Sequence, residues 1–408
     1  MIAFLADKKP QFSIIAKTFF GLEDVLAREL FDLGASDVEV LNRSVIFEGS
    51  LEVLYKANLH LRTALRLIVP FYTFRVRDEQ DIYDELVTLP WHDYLTADQS
   101  FAVDVVINTP LIKHSQYAMH LAKDAIVDEI REKTGARPSV DLKTPHLRLN
   151  LHVFKDVCTL SLDSTGDSLH KRGYRQETNE APINEVLAAG MVLLSGWQRD
   201  CDFIDPMCGS GTILIEAAQY AHRIAPAQAR MDFDFMKWPN YDEALWLKIK
   251  EEADNNELEE FDHYILGSDI SERNINICKQ NVRRAGLQGK ISLFRKDFLE
   301  FEPPQTERGV CVMNPPYGER MATDEIENFY KSIGDTLKKK FKGYKAWLIC
   351  SNEFALKHVG LKAKDRMTLY NGALECKYHS YELYEGSYQK PSSSDESGAE
   401  TEEFKEEG

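Results

Sequence analysis

Four consecutive residues, Asn314, Pro315, Pro316 and Tyr317, close the apolar run Gly309–Met313. Two prolines fix φ and remove two N–H donors, so the segment makes a rigid turn in any fold. The same four residues also suit an exocyclic amine on an aromatic base. Such an amine delocalises its lone pair into the ring and is a poor nucleophile. It needs an acceptor for each of its two N–H groups, which the Asn314 side-chain oxygen and the Pro315 carbonyl can supply. Acceptors aimed at those hydrogens favour the cation that forms as the nitrogen is alkylated, a mixture of positioning and electrostatic stabilisation. The Tyr317 ring offers a face to stack on, and the base must be presented out of its own stack.

Upstream, Cys201–Ala218 reads CDFIDPMCGSGTILIEAA, an apolar strand joined to an amphipathic helix through a loop holding Cys208, Gly209, Ser210 and Gly211. Glycines there let a ligand approach the backbone and meet the N–H groups at the helix start. A dinucleotide fingerprint counted from Gly209 needs glycine where Leu214 stands, and the Gly-Lys-Ser/Thr ending of a phosphate loop is absent. S-adenosylmethionine has no phosphate but carries a sulfonium, an ammonium and a ribose, and acids at strand ends suit those groups. Asp205 lies beside the loop. Asp269, followed by Ile270, is placed to accept from both ribose hydroxyls. Asp297, followed by Phe298, is placed to accept from the adenine amine with the Phe298 ring alongside, and Asn314 borders both sites. Each aspartate alone fits a helix cap or a turn equally well. Three at successive strand ends on one sheet edge fit ligand binding better, because α/β sheets bind at the carboxyl ends of their strands.

The elements that must carry these residues alternate regularly. A helix over 183–197 is followed by strand 201–205, a helix from Gly211, strand 263–269, helix 272–285, strands 291–296 and 309–314, helix 325–341 and strand 344–351. Such alternation predicts a parallel, doubly wound α/β sheet, to which extended runs at 367–371 and 376–384 add antiparallel edge strands. The first 65 residues read as a β-α-β-α unit, with one extended run over 38–49 and Gly34 as a helix stop. Residues 66–165 read as a second α+β module with a long helix from about Ser115 to Lys133. A turn-rich connector starts near Ser164.

DPMCGSGTILIEAA followed by VMNPPYGER, together with LDSTGDSLHKRGYR, APINEVLAA and APAQARMDFDFMKWP, resembles the class I methyltransferases that carry a THUMP domain. The similarity is nearest to the 23S rRNA guanine-N2 methyltransferases of the RlmL type, in a short form lacking a second transferase domain, and spans roughly residues 10–385. It implies a ferredoxin-like segment over 1–65, a THUMP RNA-binding domain over 66–165, and a Rossmann-like S-adenosylmethionine-dependent transferase over 166–388. The implied substrate is structured RNA, 23S rRNA or its precursor, in the cytoplasm. Adenine-N6 transfer to RNA or DNA and a THUMP protein without activity remain open, since the tetrad serves either amine.

The formal charge of −17 argues against loose binding to duplexes. Much of it is local: 389–408 carries −5 and 251–262 carries −7, so only −5 is left for the rest of the chain, which has room for basic patches. Lys113, His114, Lys171, Arg172 and Arg175 are the expected phosphate contacts. Asp163, Ser168 and His170 supply the residue types of a hydrolytic triad, without the nucleophile elbow that accompanies one. Seven scattered cysteines show neither paired nor zinc-ligand spacing, so no metal is expected; no run approaches a membrane span, and the Ser-rich acidic tail from 389 is expected to be disordered. The first 165 residues are expected to select RNA and the rest to work as a separable transferase, so a fragment beginning near Ser164 should keep its cofactor.

Overall fold

The computed structural model describes residues 11–175, 183–318 and 322–384. The expected acidic tail and the end of the connector lie outside these residues. Two sheets organise the chain. The first has eight strands: β1 (Phe12–Lys17), β2 (Ser36–Leu41), β3 (Ser44–Gly49), β4 (Arg66–Arg75), β5 (Ser100–Asn108), β6 (Ser139–Val140), β7 (Leu147–Phe154) and β8 (Val157–Asp163). They lie in the order β2-β3-β1-β4-β8-β7-β5-β6. Helices α1 (Glu23–Asp32), α2 (Leu51–His60), α3 (Gln80–Leu86) and α4 (Ser115–Thr134) connect them.

The extended run expected over 38–49 is a hairpin, turned at Arg43 in the left-handed region. The two N-terminal modules, read as separate from the sequence, share one sheet. β4 is ten residues long and has two edges: residues 66–68 pair with β1 on one edge, and 68–75 pair with β8 on the other.

The second sheet holds β9 (Asp202–Asp205), β10 (Ile265–Asp269), β11 (Ser292–Arg295), β12 (Gly309–Met313), β13 (Tyr344–Cys350), β14 (Arg366–Asn371) and β15 (Leu374–Glu382), in the order β11-β10-β9-β12-β13-β15-β14. The first five are parallel and β15 is antiparallel to β13, with β14 at the edge, as the alternation predicts. Successive residues point to opposite faces, and both faces are covered. Phe203, Val310, Val312 and Trp347 pack on the side of α5 (Glu185–Leu194) and α6 (Thr212–Ala221). Ile204, Cys311, Met313 and Leu348 pack on the side of α9 (Thr323–Lys340). The helices between are α7 (Glu243–Asn255) and α8 (Glu272–Arg284), and a short α10 (Glu353–Lys357) follows β13.

α7 was not legible as a helix. Its acidic C-terminal turns and the acids beyond them hide a stripe of Trp246, Ile249 and Ala253 at helical spacing. That stripe does not serve the transferase sheet. With Phe233, Phe235 and Trp238 it joins the core that also contains Ile14 and Leu54 of the N-terminal unit. In return Leu22, just before α1, sits in the transferase core, where a Cβ on Gly190 would come within 2.5 Å of its Cδ2.

The stretch beginning at Ser164, read as a connector, is a buried seam. The Thr165 hydroxyl donates to Asn58 Oδ1 at 2.8 Å and accepts from the Leu67 N–H at 2.9 Å, and Asn58 donates to Ser164 at 3.0 Å.

Candidate active site

Because β11, β10, β9 and β12 are neighbours, the residues at or just past their ends fall side by side along one carboxyl edge: Asp297, Asp269, Asp205 and Asn314. Four strands at the usual spacing place the outermost of these about 15 Å apart, the reach of an extended nucleoside with an amino-acid arm. β9 is also where the order of strands reverses, the point at which such sheets bind ligands. A cleft of about 710 Å³ opens there.

The loop after β9 is held open from behind. The Cys208 N–H donates to the Ser268 carbonyl at 2.9 Å, and the Ser268 hydroxyl donates to the Pro206 carbonyl at 3.1 Å. Gly211 takes φ of +83° to start α6, and a Cβ there would stand 2.3 Å from Cys278 Sγ, so only glycine lets α8 approach this closely. The Asp269 carboxylate ties the loop to β10. It accepts from the Gly209 N–H at 3.0 Å on one oxygen, and from the Ser271 N–H at 2.8 Å and the Asn274 amide at 3.1 Å on the other. Three donors of its own chain thus orient the carboxylate, which also lines the cleft.

Asp205 is 1% exposed and accepts from the Met207 N–H at 3.1 Å. Burial, and then the charge on Asp269, pushes its carboxyl up to about 8. Asp297 caps the turn Phe298–Glu300 by accepting from the Leu299 N–H, so here the cap and the cleft position coincide. The Cys208 thiol is hydrogen-bonded with Cys278, and that bond and burial lift it well above its ordinary value, so it is no nucleophile.

The Asn-Pro-Pro-Tyr turn is braced from outside the cleft. The Tyr330 hydroxyl donates to the Pro316 carbonyl at 3.1 Å, and the Asn352 amide donates to the Tyr317 carbonyl at 3.3 Å. Within the turn, Asn314 Oδ1 is buried and has no hydrogen-bond partner among the described residues. A buried acceptor left without a donor costs about 1–3 kcal/mol, so its retention beside a cleft points to a donor arriving with a ligand. Burial raises the Tyr317 phenol well above its usual value, keeping it neutral and suited to stacking.

Every residue predicted for the cofactor and for the amine lines this cleft except Gly211, whose part is to admit α8. Half of the lining was not predicted from the sequence, Ile183, Met207, Asn274, Phe329, Asn371 and Leu374 among it. Asn274, five residues past Asp269 in the helix opened there, had a local signal; Phe329, Asn371 and Leu374 reach the cleft from distant elements and had none.

The predicted phosphate contacts divide. Lys113 and His114 are exposed at the start of α4, and Lys171 is exposed in an ion pair with Asp167 at 2.9 Å. Arg172 and Arg175 are corrected. Arg172 is buried and donates to the carbonyls of Leu169 and Arg62 at 2.7 Å, facing Glu216 at 3.8 Å. Arg175 donates to the Ile183 carbonyl and Thr212 at 2.7 and 2.8 Å and pairs with Glu185 at 3.3 Å. Both seal the seam. A row of basic letters in a turn-rich stretch gives no sign of which charges fold inward. His170 meets Ser168 at 2.8 Å, but Asp163 is taken by Arg66 and the N–H groups of Thr165 and Gly166, so no triad forms.

Among the described residues no group of three or more potential metal ligands is found, and no helix is long and apolar enough to cross a membrane.

Comparison with known proteins divides the chain in three. Residues 172–380 match a methyltransferase domain described as RMKL-like, residues 76–163 match the THUMP domain, and residues 13–68 match the RlmL ferredoxin-like domain. A putative RNA methyltransferase of Synechocystis is 37% identical over 94% of this chain and 99% of its own. The ribosomal RNA large subunit methyltransferase K/L of Syntrophotalea carbinolica is 38% identical over 90% of this chain, which spans about half (53%) of that protein's length. Among solved structures, a putative methyltransferase complexed with SAH superposes with a TM-score of 0.83 at 31% identity, covering 93% of this chain and all of that one. A protein described as a predicted N6-adenine-specific DNA methylase from Listeria monocytogenes does so with a TM-score of 0.82 at 32% identity, covering 94% of this chain and 98% of that one.

Proposed function

The chain belongs to the RMKL-like methyltransferase family, and from that premise we propose that it methylates the exocyclic N2 of a guanine in 23S ribosomal RNA, with S-adenosylmethionine as cofactor. The single observation that carries the reading is the buried, unpartnered Asn314 Oδ1 on the wall of the cleft. The target amine brings the donor it lacks.

When bound, the cofactor supplies a methyl group on a sulfonium, an electrophile that needs no acid or metal. What remains is work for the chain's own groups. Asp269, held by its three donors, would accept from the ribose hydroxyls, and the Asp205 carboxylate would answer the cofactor's positive charge. Asn314 Oδ1 and the Pro315 carbonyl accept from the two amine hydrogens and stabilise the charge that grows on nitrogen. Tyr317 takes the base face. Tyr330 and Asn352 are positioning residues: they fix the turn through its backbone carbonyls and touch nothing that reacts.

RNA as the substrate class rests on the THUMP match and on relatives described as ribosomal RNA or RNA methyltransferases. Guanine is favoured by the RlmL-type resemblance. Adenine is the second reading, because the Listeria structure is described as an adenine methylase and the tetrad accepts either amine.

The test uses the full chain, S-adenosylmethionine and 23S rRNA from cells lacking the gene, with nucleosides of the product separated by mass spectrometry. N2-methylguanosine is expected, and N6-methyladenosine would overturn the guanine assignment alone. Asn314→Ala should keep cofactor affinity within about threefold by calorimetry while the rate falls roughly a hundredfold or more, the usual cost of losing one preorganised charge-stabilising contact. Equal losses in both assays would mean that the tetrad is only a structural turn.

A further inference from the structure

Beside the amine end of the cleft the two halves of the chain meet in a small exposed cluster. The tip of the hairpin formed by β14 and β15 contributes Tyr370, Asn371 and Leu374, of which Asn371 and Leu374 line the cleft. The N-terminal unit contributes Phe20, which follows β1, and Arg43, at the turn between β2 and β3. The Phe20 and Tyr370 rings meet edge to face at 5.6 Å and 88°, and the Arg43 guanidinium lies 5.4 Å from the centre of the Tyr370 ring.

The arrangement is held firmly by groups that are not part of it. Gly21 lies on the backbone of β14, where a Cβ would stand 2.5 Å from the Thr368 carbonyl oxygen. The Glu23 carboxylate accepts from the N–H groups of Gly21 at 2.6 Å and Arg43 at 2.9 Å, fixing both turns with one side chain. The Tyr370 hydroxyl donates to Glu375 at 3.2 Å.

An aromatic side chain that served only to fill the joint between two modules would be buried. Phe20 is 42% exposed and Leu374 is 43% exposed. The cluster therefore presents ring surface and a cation to solvent at the mouth of a cleft read as taking a base. Aromatic faces beside an arginine form the common platform for single-stranded nucleic acid, since every base has a π-face and every nucleotide a phosphate.

We propose that Phe20, Tyr370 and Arg43 form a platform for the nucleotide adjoining the methylated one in the RNA strand. The neighbouring base stacks on the exposed Phe20 ring, which Tyr370 backs, and its phosphate pairs with Arg43, which holds the strand open so that the target base enters the cleft. The proposal rests on the reading of the cleft as an RNA methyltransferase site. It makes the N-terminal unit part of the rim of the active site, not only a distant anchor.

The experiment uses the full chain with 23S rRNA from cells lacking the gene, and a single-stranded oligoadenylate hexamer as a probe of stacking alone. Phe20→Ala should raise KM for the rRNA about tenfold or more. Its kcat should hold within about twofold, cofactor affinity should be unchanged, and Phe20→Tyr should restore KM. Arg43→Gln should reduce the salt dependence of hexamer binding by about one phosphate contact, a slope change near 0.7. An unchanged KM in an active Phe20→Ala protein overturns the platform. If the unaltered protein makes no product on rRNA, the reading of the cleft fails, and the platform is then decided by hexamer affinity: a similar loss on Phe20→Ala upholds it and no loss overturns it. Should Phe20→Ala unfold, Arg43→Gln, at an exposed turn, decides in the same way.

Discussion

Asp205 is a carboxyl group in a place that does not favour its charge until a cation arrives. Held 1% exposed, with Asp269 as a neighbour, it titrates in the folded protein at about 8, far above an unfolded aspartate near 3.8. Between those two values the folded state keeps a proton that the unfolded chain releases. Stability therefore falls as pH rises from about 4 to about 8, and levels off above that. Asp205→Asn keeps an oxygen for the Met207 N–H and removes the buried charge. The cofactor-free variant should melt at least about 2 °C above the unaltered protein at pH 8.5. The gap should close toward pH 4, as measured by thermal unfolding at both values, while affinity for S-adenosylmethionine drops. A gap that is constant with pH would mean Asp205 does not titrate in this window. The cofactor's ammonium and sulfonium favour the ionised form, so binding near neutral pH should release a proton from this group.

At the scale of elements the decisive piece is the insertion 225–255, which leaves the transferase sheet, folds α7 and returns. Trp246 lies 4% exposed, edge-on to Tyr55 at 6.0 Å and to Phe233 and Phe235 at 5.4 and 5.3 Å. Tyr55 belongs to α2 of the N-terminal unit and stacks on Phe235 at 4.4 Å. The cluster thus stitches one unit to the other with aromatic contacts. Trp246→Ala should cost about 3–5 kcal/mol, the range for emptying a large buried site. Because the lost contacts span both units, chemical unfolding should become two transitions where the unaltered protein is expected to show one. A single transition, merely shifted, would mean that the seam around Arg62 and Arg172 suffices without the insertion.

For the whole molecule, the contacts between the two units argue against the separable transferase expected from the sequence. A fragment beginning near Ser164 would expose Phe233, Phe235, Trp238 and Trp246, and would lose Leu22 from its own core. It would also lose the peptide carbonyl of Arg62 that receives Arg172, and the Arg62 guanidinium that donates to the carbonyls of Gln219 and Ile224. Stripping several large aromatic side chains of their partners exceeds the few kcal/mol by which a domain is normally stable. The fragment should fail to melt cooperatively by calorimetry and should bind no S-adenosylmethionine. A cooperative transition with cofactor affinity near that of the full chain would restore the two-part picture.

What the sequence determined by itself was everything carried by short spacing. Strand, glycine loop and helix at 201–221, acids at successive strand ends, and the Asn-Pro-Pro-Tyr turn each depend on residues a few positions apart, whose periodicity and turn chemistry are written locally. They were enough for the order of the transferase strands and for about half of the lining of the cleft. Only the tertiary structure decided which charges face inward. Lys171 and Arg172 are adjacent letters of one type, yet one is in solvent and the other is buried against Glu216. Only it could join β1 to β4 to β8 in one sheet, fold a helix of acidic sequence into the core of another module, and bring Phe20 to within 5.6 Å of Tyr370. Contacts between distant positions depend on which surfaces the whole chain can bury together, and that balance is set by packing across both units, where local pattern gives no signal.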